Sequence, residues 1–329
     1  MAEFLRRSRV DRERYEQEHL APGATKAVAS KGRAAPEDPD PHRTVFQRDR
    51  DRILHAKAFR RLKHKTQVFI NPDGDHFVTR LTHTLQVTQV GRSLAARLGL
   101  NEDLTEAICL GHDVGHSPFG HTGEDALTPY VAGEWHHAAQ SVRVFRVLEP
   151  LNLTAEVLDG IRAHSWKIEP PPEGPEGHLC RYADRIAYLT HDVEDAMRAG
   201  LITESDLPAA SLATFGHPGS GWIAAMIGAV VEGSLDAGRV VMEANALAVM
   251  HELRDFMFER VYLRPQAESQ RRRAIRVIQN LVDHYLAHPA DIPDTYRHDE
   301  ADTVTQAIDY VSGMTDRFAL REYRRIAAG

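Results

Sequence analysis

The sequence predicts a mainly α-helical fold, and three observations predict it. Apolar residues recur at intervals of three and four through most of the chain, as in 81–98 and 179–198. Several of these stretches are followed by glycine, Gly99 and Gly200 among them, the residue that closes helices in the left-handed conformation. β-Prone runs are short and few. Residues 67–70 and 76–79 flank the turn Asn71-Pro72-Asp73-Gly74-Asp75, so at most one small hairpin is expected, within 67–79.

Of 329 residues, 42% are hydrophobic, enough for a large core, and no composition shift marks a linker in the middle of the chain. We read an N-terminal arm over 1–45, polar and rich in Arg, Glu and Pro, then a catalytic core over 46–200, then a helical region over 201–329 packed on that core. The formal charge of −7 argues against nucleic-acid binding as the main activity and leaves it a secondary one. Cys109 and Cys180, both in apolar helical contexts, read as reduced core residues of a cytoplasmic protein. The first residues carry no apolar signal region, and no apolar run of about 18 residues predicts a membrane span.

In chain order, 46–68 carries apolar residues at helical spacing (Phe46, Ile53, Leu54, Ala58, Leu62) among charges that read first as a solvated helix face. Residues 81–98 form a helix with Leu85, Val90, Leu94, Ala95 and Leu98 inward. Residues 103–110 form the next, with Asn101 as N-cap and acidic Glu102 and Asp103 in its first turn; it should fail at Gly115 or Pro118. Residues 135–148 and 154–164 follow as helices, and 170–177 is a proline-rich loop. Residues 179–198 are a long helix on which Asp184, Tyr188 and Asp192, at i, i+4 and i+8, form one polar stripe with Arg185 beside it. The glycines at 216, 219 and 221 do not follow a strand, so no phosphate-cradling loop is assigned. Residues 222–235, 245–262, 269–288 and 302–326 close the chain as helices. Arg271-Arg272-Arg273 reads as an exposed face, with a nucleotide or subunit contact as the alternative.

The densest chemistry lies in Leu110-Gly111-His112-Asp113-Val114-Gly115-His116-Ser117-Pro118-Phe119-Gly120-His121. His112 and Asp113 sit near a helix end, where adjacent side chains can converge on one point. Alone, such a pair is more often a surface feature or a satisfied buried histidine. Partners raise its weight: His83 opens one helix and Asp184 sits on another. Together His83, His112, Asp113 and Asp184 offer two imidazoles and two carboxylates around one divalent ion, a set suited to Mg, Mn, Fe, Co or Ni. The lack of cysteine ligands argues against a closed structural zinc site.

These residues resemble the HD-domain phosphohydrolase superfamily, and within it the deoxyguanosine triphosphate triphosphohydrolases and their relatives. The resemblance runs through Ser30-Lys31-Gly32-Arg33, Phe46 to Ile53, Phe59 to Phe69, the central motif, Tyr182 to Ala196, and Asp309 to Arg317. It implies an HD-domain helical bundle, one metal ion per site, and hydrolysis of a dNTP to deoxynucleoside and inorganic triphosphate. It implies that Arg80 and Arg185 hold the triphosphate, that Tyr188 and Asp192 face the sugar, and that Gln67 contacts the deoxyribose. His121 and Glu124 match a His–carboxylate pair that moves a proton, as acid or as base, and His116 and His137 match contacts to the α-phosphate. In Trp135-His136-His137-Ala138 many relatives have Asn where Ala138 stands, and the doubled histidine leaves His136 as the alternative to His137. The resemblance further implies a homo-oligomer, a hexamer in some members, and a second, regulatory dNTP in some. The alternatives are a phosphohydrolase acting on another nucleotide ester, and a weakly catalytic nucleotide sensor or single-strand binder.

Overall fold

The computed structural model describes residues 4–67, 78–298 and 300–328. Among them there is no strand, only helices and two isolated antiparallel bridges, Arg33 with Thr154 and Thr66 with Thr79. The second bridge stands at the base of the expected hairpin; residues 68–77, which would form the rest, lie outside the described residues.

The α-helices are α1 (Arg9–His19), α2 (Val45–His55), α3 (Lys57–Arg61), α4 (Arg80–Leu98), α5 (Glu102–Gly111), α6 (His121–Leu127), α7 (His137–Arg143), α8 (Ala155–Ala163), α9 (Pro175–Arg198), α10 (Ala209–Phe215), α11 (Ser220–Ala237), α12 (Ala244–Met257), α13 (Pro265–Ala287), α14 (Thr303–Ser312) and α15 (Asp316–Ala328). Helices α7 and α12 each run on into a π turn, at Val144–Leu148 and Phe258–Tyr262. No described helix is long and apolar enough to cross a membrane.

Local signals set many boundaries. Asn101 caps α5 by accepting from Leu104 N, and Gly99 closes α4 at φ 65°, a conformation a side chain would disfavour. Three boundaries differ from expectation. The arm holds a helix, α1, which Ser8 and Asp11 cap reciprocally. The proline-rich loop ends three residues earlier than expected, because Pro175 opens α9 at a position where its missing N–H costs nothing. The long C-terminal stretch breaks in two: Thr315 Oγ1 accepts from Phe318 N and starts α15 as a second N-cap. Helix α5 ends at Gly111, within one residue of its expected end and before either predicted breaker.

Two apolar cores result. The larger joins α2, α4, α5, α8, α9, α11 and α12, with Leu94, Ile108, Leu179, Ile186 and Trp222 buried in it. The smaller joins Phe119, Leu127 and Trp135 to α13, α14 and α15. One expected core residue is displaced: Leu85 is 49% exposed. The buried stripe of α4 runs instead through Arg80, His83, Thr84, Val87, Val90, Gly91 and Leu94, so its first turns turn polar side chains inward.

Buried acids tie the N-terminal arm to this frame. Glu176 accepts from Thr25 N (3.0 Å), Thr25 Oγ1 (2.7 Å) and Asn101 N (3.1 Å). Asp49, fully buried, pairs with Arg33 and accepts from Thr154 N at 2.8 Å. Each carboxyl meets several hydrogen-bond partners, while burial pushes both above their ordinary pKa.

Candidate metal centre and active site

Three helices bring the predicted ligands together. His83 comes from the first turn of α4, His112 and Asp113 from the turn after α5, and Asp184 from the middle of α9. His83 Nε2 lies 3.0 Å from Asp184 Oδ1; His112 Nε2 lies 3.5 Å from Asp113 Oδ1 and 3.9 Å from Asp184 Oδ1. The turn after α5 is shaped by Ser141 on α7, whose hydroxyl donates to His112 O (2.8 Å) and accepts from Gly115 N (2.9 Å). Gly115 has no room for a side chain there, since a Cβ would stand 2.2 Å from Ser141 N.

The chemistry of this group fits a cation. His112 donates Nδ1–H to Cys109 O at 2.7 Å, which leaves its buried Nε2 bare and without a partner. Fixing one ring nitrogen on a carbonyl and aiming the other inward is how ligating histidines are oriented. Burial holds His112 below its ordinary pKa and hence neutral. Burial opposes ionisation of Asp113, yet Arg80, which donates Nη1–H to Asp113 Oδ2 at 2.7 Å, and the surrounding histidines hold it well below the usual carboxylate range. Asp184 is likewise held down against burial by its bond to His83.

A second cluster adjoins the first. Glu124 bridges two histidines, taking His121 Nδ1 at 2.8 Å on Oε2 and His137 Nδ1 at 2.5 Å on Oε1. The sequence suggests only the His121 half of this arrangement. His116 stacks on His137 with ring centroids 4.2 Å apart, and His137 Nε2 approaches Asp113 Oδ1 at 3.8 Å, so the two clusters share Asp113. Burial works against charge on Glu124, but His137 and His116 keep it well below its usual value. Burial also opposes protonation of His137, but Glu124 raises its pKa overall. His136 stands apart, 3.5 Å from Glu134.

The remaining predicted residues have their own contacts. Asp184, Tyr188 and Asp192 share the inward face of α9, as their spacing suggests. Asp192 accepts from Tyr262 Oη at 2.6 Å, and burial pushes its carboxyl up to about 7. Burial raises Tyr188 also. Arg185 lies over the Trp166 ring and meets His251 Nε2 at 3.1 Å. Gln67 is half-buried with Oε1 unpartnered, and its backbone carbonyl faces Gly120.

Several residues at the site escape a sequence reading. His164 closes α8 and donates Nδ1–H to Ile161 O at 2.7 Å, as His112 does to Cys109; its Nε2 stands 3.0 Å from His137 Nε2. Burial, with His112 and His137 nearby, lowers its pKa to about 3. A histidine ending a helix, as His112 does, was the available signal. Lys65 is fully buried and donates to the carbonyls of His116 and Ser312, while Asp316 accepts from Phe119 N (3.1 Å) and Thr66 N (3.0 Å). The start of α15 thus braces the loop between His116 and His121, in which Phe119 holds φ 64°.

A family model described as the HD domain matches residues 80–189, and one described as the phosphohydrolase-associated domain matches 240–325. Three curated relatives, each called a deoxyguanosinetriphosphate triphosphohydrolase-like protein, align along nearly the whole chain. That of Caldanaerobacter subterraneus is 44% identical over 95% of this chain and 94% of its own. That of Desulfatibacillum aliphaticivorans is 42% identical over 96% and 97%, and that of Clostridium perfringens 42% over 90% and 91%. With an HD-domain match that spans His83 to Asp184 and relatives this similar along nearly their full length, the chain belongs to the deoxyguanosinetriphosphate triphosphohydrolase-like family of HD-domain phosphohydrolases.

Proposed function

We propose that the protein is a metal-dependent dNTP triphosphohydrolase. The observation that carries this reading is the sharing of Asp113 between a His/Asp group fit for a cation and a Glu124-bridged histidine pair fit for proton transfer. The relatives' names, which specify a deoxynucleoside triphosphate, support the substrate class.

In this reading His83, His112, Asp113 and Asp184 hold one divalent ion, which when bound polarises a phosphoryl oxygen and lowers the pKa of a water. Water attacks the α-phosphorus, the bond to the 5′ oxygen breaks, and that oxygen leaves with a proton. The products are deoxynucleoside and inorganic triphosphate. Arg80 and Arg185 hold phosphate oxygens, bidentate where geometry allows. His116 and His137 face the α-phosphate and stabilise its developing charge. His121, its tautomer fixed by Glu124, moves the proton. Tyr188 and Asp192 face the sugar, and Gln67 packs against the deoxyribose, where a 2′-hydroxyl would be rejected sterically. We place the enzyme in the cytoplasm as a homo-oligomer, which a light-scattering mass above that of one chain would support and a fully active monomer would refute.

The test is product analysis. Purified protein with Mn and each dNTP in turn should release triphosphate. Release of pyrophosphate or orthophosphate instead would move the reading to another nucleotide ester.

A further inference from the structure

Arg185 is a half-buried cation one residue from a carboxylate. No described carboxylate forms an ion pair with it, and its Nε is buried without an acceptor. Its neighbour Asp184 is turned to His83 and His112, since consecutive helix residues do not face each other. Here the guanidinium instead lies on the Trp166 indole, its carbon 3.9 Å from the ring centroid, with Nη1 against His251 Nε2 at 3.1 Å.

The indole is itself fixed. Trp166 comes from the segment between α8 and α9 and donates Nε1–H to Arg181 O at 2.9 Å, one turn before Arg185 on the same helix. Its edge meets Tyr182 at a centroid distance of 5.1 Å, near perpendicular. Arg181 closes the other side by donating Nη2–H to Ser165 O at 3.2 Å. The backbone of α9 therefore sets the plane on which its own arginine rests.

We infer that Trp166 is the positioning residue for Arg185, a platform that holds the guanidinium in place and leaves its N–H groups for a polyphosphate. The inference rests on reading Arg185 as a phosphate contact. Arginine carries much rotamer entropy, and holding it in place before the ligand arrives removes that cost from binding. Phenylalanine keeps a ring face and loses the indole N–H; leucine keeps bulk and loses the face.

The experiment uses the full-length, Mn-loaded protein and inorganic triphosphate as the probe, with binding read by calorimetry and dNTP turnover read alongside. Trp166→Leu should weaken triphosphate binding and raise KM by about three- to tenfold, the scale of a partly desolvated cation–π contact, with a smaller change in kcat. Trp166→Phe should recover most of the loss. In an Arg185→Ala background, Trp166→Leu should add less than about twofold, because the two act through one contact. Parent-like binding by Trp166→Leu while Arg185→Ala binds weakly would overturn the platform alone. An undiminished Trp166→Leu effect in the Arg185→Ala background would also overturn it, marking a merely structural role. Parent-like binding by Arg185→Ala would overturn the phosphate contact beneath it as well.

Discussion

The two histidines on Glu124 differ in one respect that assigns them different work. The His121 side chain is 73% exposed, open to an arriving substrate, whereas His137 is buried beneath it. His121→Ala should therefore lower kcat by roughly 10²–10⁴, the range for a lost proton-transfer group, while inorganic triphosphate still binds; near-parent kcat across the usable pH range would refute the role. Asp192 permits a prediction on pH. Its carboxyl, held protonated by burial up to about 7, binds a proton in the folded state that the unfolded chain releases near pH 4. Stability from this residue is thus present below about pH 4 and is lost as pH rises to about 7, by an amount on the order of a few kcal/mol. Asp192→Asn should remove that slope, so the variant should gain on the parent between pH 5 and pH 8 in urea midpoints; parallel profiles would show the carboxyl to be ionised throughout. The convergence of His83, His112, Asp113 and Asp184 was legible because each sits on a helix or at a helix end whose period is written locally. The places of His164, Trp166 and Tyr262 were not, because only the packing of α8 on α7 and α9, and of α12 on α9, brings them in.

Among elements, the contact of the turn after α5 with α7 sets the site most tightly. Gly115 meets only backbone there: Ser141 N, Gln140 C and His137 O, all within 2.7 Å of a built Cβ. Gly111, four residues earlier, meets the tip of Ile161 at 2.4 Å, a side chain that can turn aside. Gly115→Ala should therefore push α7 outward, carrying His137 with it, at a cost of about 1–3 kcal/mol or more and with most turnover lost. Gly111→Ala should cost less and keep activity. Thermal denaturation and kcat on both variants check this, and a Gly115→Ala protein with parent Tm and turnover would remove the contact from the argument. The sequence placed the end of α5 within one residue, at 110, but not the hold that Ser141, a residue from another helix, has on the turn after it. The same holds for Leu85: period alone turned it inward, while the buried face of α4 carries His83 and Thr84 and leaves Leu85 outside.

For the whole molecule, the metal group joins α4, α5 and α9, the three helices that also build the larger core, so cation binding and folding should be linked. A ligand that binds only the folded state stabilises it by about 2.7 kcal/mol at a hundredfold excess over Kd, and each kcal/mol raises Tm by roughly 1–2 °C in a chain of this length. Chelation should accordingly lower Tm by several degrees, and Mn should restore it. The effect should weaken as pH falls below about 6, since protons compete for the imidazoles. Asp184→Ala removes the carboxylate that faces both His83 and His112, and its Tm should no longer respond to Mn. A parent-sized Mn shift in Asp184→Ala, together with undiminished bound metal by elemental analysis, would mean that the ion sits elsewhere, and the reading of this centre would fall with it.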